Sequence, residues 1–171
     1  MAEYIAKPTS RMKIRNFANG IREYLEWYDE KYFPVVEFLE LVIPQLEPDF
    51  SYEIVPVEEM KHQYGLTYPD EKLICLREDV YEKAAEGTAR DRFTIAHEIG
   101  HYFMHRPGEL VLARNQNKEK IPAYQDPEWQ ANTFAGELLA PPQIITGLTA
   151  KEISLCCGVS LDVAKIQLKN I

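Results

Sequence analysis

Between Arg92 and His105 the chain reads RFTIAHEIGHYFMH, and no other stretch limits the fold so tightly. Phe93, Ile95, Ala96, Ile99 and Phe103 fall on nearly every side of a helical axis. A helix built this way is buried all round, and its polar groups must find partners. On a helix turning ~100° per residue, His97 and His101 stand ~40° apart and one turn apart along the axis, so both imidazoles can reach one tetrahedral ion. Glu98 lies ~100° from His97, at the edge of the same face, where it can take a proton from water. His105 continues the series, but an unbroken helix carries it about 12 Å from His97, too far to share that ion. A capping or supporting role is expected for His105, and no ligand role for the isolated His62.

The helix needs an entry and an exit. Thr88 is placed to cap it, with Asp91 three residues on completing a capping box, and Arg106-Pro107-Gly108 ends it. Beyond a polar, aperiodic run from Glu109 to Gln125, expected as an exposed loop over the site, comes DPEWQANTFAGELLAPP. There Asp126 can cap, Pro127 suits a first helical position, and Pro141-Pro142 stop the helix. Glu128 and Asn132 share a face with Ala131, Ala135 and Leu139, whose mostly small side chains let a second helix come close. Glu137 points to the opposite side at ~180° from Glu128, and Asp126 also points away. Glu128 is therefore the third metal donor expected, and Asn132 can orient a ligand through a hydrogen bond. Tyr102, Tyr124 and His105 are the candidates for stabilising a tetrahedral oxyanion, and the sequence does not choose among them.

The remainder fits one domain's worth of chain. Its 171 residues are 46% hydrophobic and 27% charged, enough for a real core. Apolar positions from Met12 to Leu25 predict an amphipathic helix, and Val35–Leu46 a second one bent or ended by Pro44. Tyr52–Val57 and Lys72–Arg77 read as strands, with a turn at Tyr68-Pro69-Asp70-Glu71, so two or three strands form a small sheet. The last helical pattern divides around Gly158-Val159-Ser160 in the outline of a helix-turn-helix. Cys75, Cys156 and Cys157 form no disulfide framework and are expected as reduced, buried thiols. The net charge of −8, the lack of a signal-like or membrane-spanning run and the absence of a basic arm predict a cytoplasmic protein without direct DNA binding or membrane attachment.

RFTIAHEIGHYFMH followed by EWQANTFAGELLAPP, with REDVYEKAAEG upstream, resembles the ImmA/IrrE family of bacterial and phage metallopeptidases, from about Val35 to the C-terminus. The resemblance implies an α+β fold: a small antiparallel or mixed sheet packed on the buried HExxH helix in a zincin-like, gluzincin-like core. The organisation expected is a helical extension over 1–34, a peptidase core over 35–142 and a helix-turn-helix-like lobe over 143–171. It also implies Zn2+ on His97, His101 and Glu128 with Glu98 as catalytic base, in agreement with the helical phases. The substrate class it implies is a helix-turn-helix repressor, encoded nearby, that undergoes limited proteolysis. Gly136 departs from the family, whose members often carry Ala; a cost of about 1 kcal/mol in helix stability is expected, without effect on the ion. Two other readings stay open here: a metal-binding interaction module without proteolysis, and a DNA-binding regulator acting through the tail.

Overall fold

The computed structural model describes residues 4–112 and 120–171. An N-terminal arm carries strand β1 (Tyr4–Ile5) and leads into α1 (Arg11–Tyr24), capped by the Ser10 hydroxyl. Next comes one continuous helical run: α2 (Val35–Glu37), a π-helical stretch (Phe38–Val42) and α3 (Ile43–Leu46). Pro44 does not end this run. Pro44 has no N–H to donate, and the widened turn just before it, with Ile43 N bonded to Phe38 O, absorbs the disruption.

The chain continues through β2 (Ser51–Val55), the single turn α4 (Val57–Met60), β3 (Gly65–Tyr68) and β4 (Leu73–Arg77). The sheet order is β2-β4-β3, parallel between β2 and β4 and antiparallel between β3 and β4, so the small sheet is mixed. LICLR takes the centre because its apolar run can be covered on both faces: Ile74 and Leu76 are fully buried on one, and Cys75 is buried on the other. Strand β2 stops at Val55, ahead of Pro56, which cannot donate to a ladder. Pro69–Glu71 forms a tight helical turn between β3 and β4, where a turn was expected.

Then follow α5 (Glu78–Ala85), α6 (Ala89–Met104), β5 (Val111–Leu112), α7 (Pro127–Leu139), α8 (Pro142–Ile145), α9 (Ala150–Cys157) and α10 (Leu161–Leu168). The metal-motif helix α6 starts at Thr88, but the Thr88 side chain accepts no capping bond, and Asp91 is buried instead of folding back. Tertiary packing overrides the local capping pattern there. Of the loop expected over 109–125, residues 113–119 lie outside the described residues. Its first part pairs with the arm, β5 against β1, and Ala123–Gln125 forms a short helical turn. Asp126 caps α7 by accepting from the Glu128 N–H, as its position predicted.

Helix α1 finds its partner in α7. Phe17 packs on Phe134 with ring centroids 5.8 Å apart, and the fully buried Glu137 accepts from Arg11 Nη1 at 2.9 Å and Arg15 Nε at 2.8 Å. Glu137 faces away from Glu128 because it serves this contact. At the other end, α9 and α10 pack on the same buried cluster as α6 and α7 through Ile153, Cys157, Val159 and Ala164. Arg92, near the start of α6, is buried beside them. Its guanidinium donates to Phe33 O at 2.9 Å, Gly158 O at 3.2 Å and Cys157 O at 3.3 Å, and it lies over the Tyr32 ring. Gly158, at φ +64°, makes the left-handed turn between α9 and α10 that brings these carbonyls to Arg92. No helix among the described residues is long and apolar enough to cross a membrane.

Candidate metal centre and cleft

The site is set by how closely α7 can lie on α6. At Gly100 a Cβ would stand 3.2 Å from the Ala131 backbone and 3.0 Å from the Phe134 ring, so a side chain at this crossing would push the helices apart. With glycine facing alanine, Glu128 at the start of α7 comes level with both motif histidines. His97 Nε2 and His101 Nε2 are 3.0 Å apart, and the Glu128 oxygens lie 3.3 Å from the first and 3.1 Å from the second. One donor atom from each residue falls within 4.8 Å of the other two, close enough for a single ion. Two imidazole nitrogens and one carboxylate suit a divalent metal and leave a coordination position open.

The electrostatics agree. Hydrogen bonds from His101 and then His97 hold the Glu128 carboxyl far below the usual carboxylate range, against the effect of burial. Burial works to lower the His97 pKa, but the hydrogen bond to Glu128, the charges of Glu98 and Glu128 and the contact with Asn132 outweigh it and raise the pKa. The cluster therefore favours positive charge between the two imidazoles and the carboxylate.

Each histidine is held from behind. Asn132 Oδ1 lies 2.8 Å from His97 Nδ1, and His105 Nδ1 lies 2.9 Å from His101 Nδ1. His105 is fully buried at the end of α6, where burial pushes its imidazole down to about 4 against the raising effect of its hydrogen bond to Gln130 Oε1. It backs His101 from the side away from Glu128 and is not itself one of the donors. Glu98 is also buried, and its Oε2 accepts from the Thr67 hydroxyl at 2.6 Å. The alternation of β3 puts Gly65 on the same face as Thr67, and a Cβ on Gly65 would come 2.7 Å from Glu98 Cγ. Only glycine leaves Glu98 its place.

These groups open into a cleft of about 650 Å³, walled by Gly65 and Thr67 of β3, Phe93 and Thr94 of α6, Asn132 of α7 and Tyr4 of the arm. His62 lines the cleft as well but is outside the donor cluster. Two of the oxyanion candidates are placed elsewhere. Tyr102 is buried and donates to Glu47 Oε2 at 2.6 Å, and Tyr124 is exposed in the turn before α7; neither side chain walls the cleft. Tyr102 follows His101 by one residue, ~100° round the helix, so the helical phase already pointed it away. Thr67, Gly65 and Gln130 were not singled out in the sequence. The short alternation of Gly65 and Thr67 was a faint signal for the first two, and none marked Gln130.

Two imidazoles and a carboxylate close enough for one ion, with a second carboxylate held beside them in a cleft, fit one class: the metal-dependent peptide hydrolases. Residues 55–154 match the Peptidase M78 family, described as the IrrE N-terminal-like domain, and the chain belongs to that family. Comparison with curated proteins gives no match. The protein is a metallopeptidase.

Proposed function

We propose that this peptidase is a zinc-dependent endopeptidase that performs limited proteolysis of a repressor or other regulator protein in the cytoplasm. The observation that carries the reading is the convergence of His97, His101 and Glu128 beside a tethered Glu98 in one cleft. His97, His101 and Glu128 would hold the zinc, through two nitrogens and a carboxylate. When bound, the ion supplies a Lewis acid that brings the pKa of water towards about 7 and polarises a peptide carbonyl.

The chain's own residues do the rest. Glu98 accepts the proton of the attacking water and returns it to the amine nitrogen as the peptide bond breaks. Thr67 keeps the Glu98 carboxylate turned towards the cleft, and Asn132 keeps His97 facing its partners. Strand β3 pairs with β4 alone among the described strands, so its outer edge can take an extended substrate segment as an added strand. A cleft of about 650 Å³ admits a short stretch of main chain, which favours cutting at one exposed segment. The net charge of −8 suits a basic partner, and a DNA-binding repressor with a helix-turn-helix, encoded nearby, is such a partner.

The deciding experiment incubates the purified protein and zinc with the repressor encoded beside it, then maps the fragments by mass. The wild type should cut at one or a few bonds, and Glu98→Gln should bind zinc but not cut. Equal cutting by Glu98→Gln would refute Glu98 as base, and an intact repressor would refute the substrate.

A further inference from the structure

We propose that His105 and Gln130 form a buried relay that sets the orientation and tautomer of His101 and ties it to the N-terminal arm. The proposal rests on the reading of His101 as a metal ligand. His101 Nδ1 is 2.9 Å from His105 Nδ1, and His105 Nε2 is 3.0 Å from Gln130 Oε1. Gln130 Nε2 in turn donates to Lys7 O and Tyr124 O, each at 2.9 Å.

The direction of every bond follows from the far end. Both backbone carbonyls can only accept, so the amide nitrogen of Gln130 must face them and its Oε1 must face His105. Oε1 can only accept, so His105 carries its hydrogen on Nε2. A neutral ring then has a lone pair on Nδ1, which requires His101 to donate from its own Nδ1. His101 is left with its Nε2 lone pair turned towards His97 Nε2 and Glu128. His105 and Gln130 are 1% and 2% exposed, so water has little access to these bonds. His97 is oriented differently, by the exposed Asn132.

The anchor of the relay lies partly outside the family's matched stretch, 55–154. Lys7 belongs to the arm, which is fastened on either side by Ala6 N to Gln125 O at 2.8 Å, by Thr9 N to Tyr124 O at 3.0 Å and by the β1–β5 pairing. The arm thus reaches a metal-site histidine through two side chains while also walling the cleft through Tyr4. His105 and Gln130 are positioning residues: His105 touches the ligand, Gln130 acts through His105, and neither touches the reacting atoms.

The test is zinc affinity, measured by competition with a chromophoric chelator. His105→Ala should bind zinc ten- to hundredfold more weakly than wild type. His105→Asn places an amide oxygen near the former Nδ1 and should recover most of that loss. Gln130→Leu should weaken binding about tenfold. Unfolding of each variant without metal checks that it is folded. Wild-type affinity in a folded His105→Ala variant overturns the proposal. Should His105→Ala not fold, histidine nitrogen NMR of the zinc-loaded wild type decides: His105 should appear as the neutral Nε2–H form, and an Nδ1–H or doubly protonated ring overturns the relay. A wild type that binds no zinc would instead remove the ligand reading and this inference with it.

Discussion

The Thr67 hydroxyl of β3 lies 2.6 Å from Glu98 Oε2 and 3.1 Å from the Glu98 carbonyl oxygen, so the sheet's edge strand grips the residue read as the base. A hydrogen bond to a charged group contributes about 1.5–3 kcal/mol. Thr67→Val keeps the shape and removes the donor. Its kcat on the cleaved repressor should fall about tenfold, with zinc content unchanged. An unaltered kcat would mean that Glu98 needs no tether.

Glu128 and Asn132 sit one turn apart on α7 and should separate in a metal titration. Loss of a hydrogen-bonding partner behind a ligand costs ten- to hundredfold in affinity, and loss of a ligand costs more. Asn132→Ala should weaken zinc binding about tenfold, and Glu128→Ala by more than about a hundredfold. Equal effects in a chelator competition would remove Glu128 from the donor set.

Glu47 provides a pH test of stability away from the metal. Hydrogen bonds from Arg106 hold its pKa at about 2, against an ordinary 4.5, with burial opposing and the Tyr102 hydroxyl adding to the depression. A depressed folded-state pKa stabilises fully above the unfolded value, and that stabilisation is lost as pH falls from about 4.5 through about 2. The whole shift would be worth about 3 kcal/mol, but solvent screening of this partly exposed pair reduces it to about 1–2 kcal/mol. Urea unfolding at pH 7 should show Glu47→Gln less stable by that amount, and the difference should close near pH 2. A constant difference across that range would contradict the assignment.

Gly136 carries a correction to its expected role as a mere helix weakness. A Cβ there would stand 2.6 Å from Gln167 Oε1, and buried Gln167 donates to Ala140 O at 3.1 Å, joining α10 to the end of α7. Gly136→Ala should therefore destabilise the wild type, yet stabilise a Gln167→Ala background by about 0.5–1 kcal/mol through helix propensity. Thermal unfolding of the four proteins in the cycle measures the coupling. The same sign in both backgrounds would show that Gln167 moves aside without cost.

These cases show what the sequence could and could not disclose. His97, His101 and Glu98 were legible because one helix sets their relative angles, whatever surrounds it. Glu128 was legible because a capped start at Asp126 fixed the phase of α7. Thr67 and Gln130 were not, since their distances to the site depend on how β3, α7 and the arm dock, which no local spacing encodes. The capping box at Thr88 failed for the same reason, with Asp91 taken into the interior. The helix-turn-helix outline of the tail was visible, but not that Arg92 would seek its carbonyls.

That last contact separates kinship from self-sufficiency. The family's stretch ends at residue 154, inside α9, whereas Arg92 finds two of its three acceptors at Cys157 and Gly158. A protein trimmed to the shared boundaries would lose every carbonyl that this guanidinium uses, Phe33 among them, and the Tyr32 ring that covers it. The contacts that hold the start of α6 thus run on past the bend at Gly158, so the inherited unit and the packed unit have different lengths here.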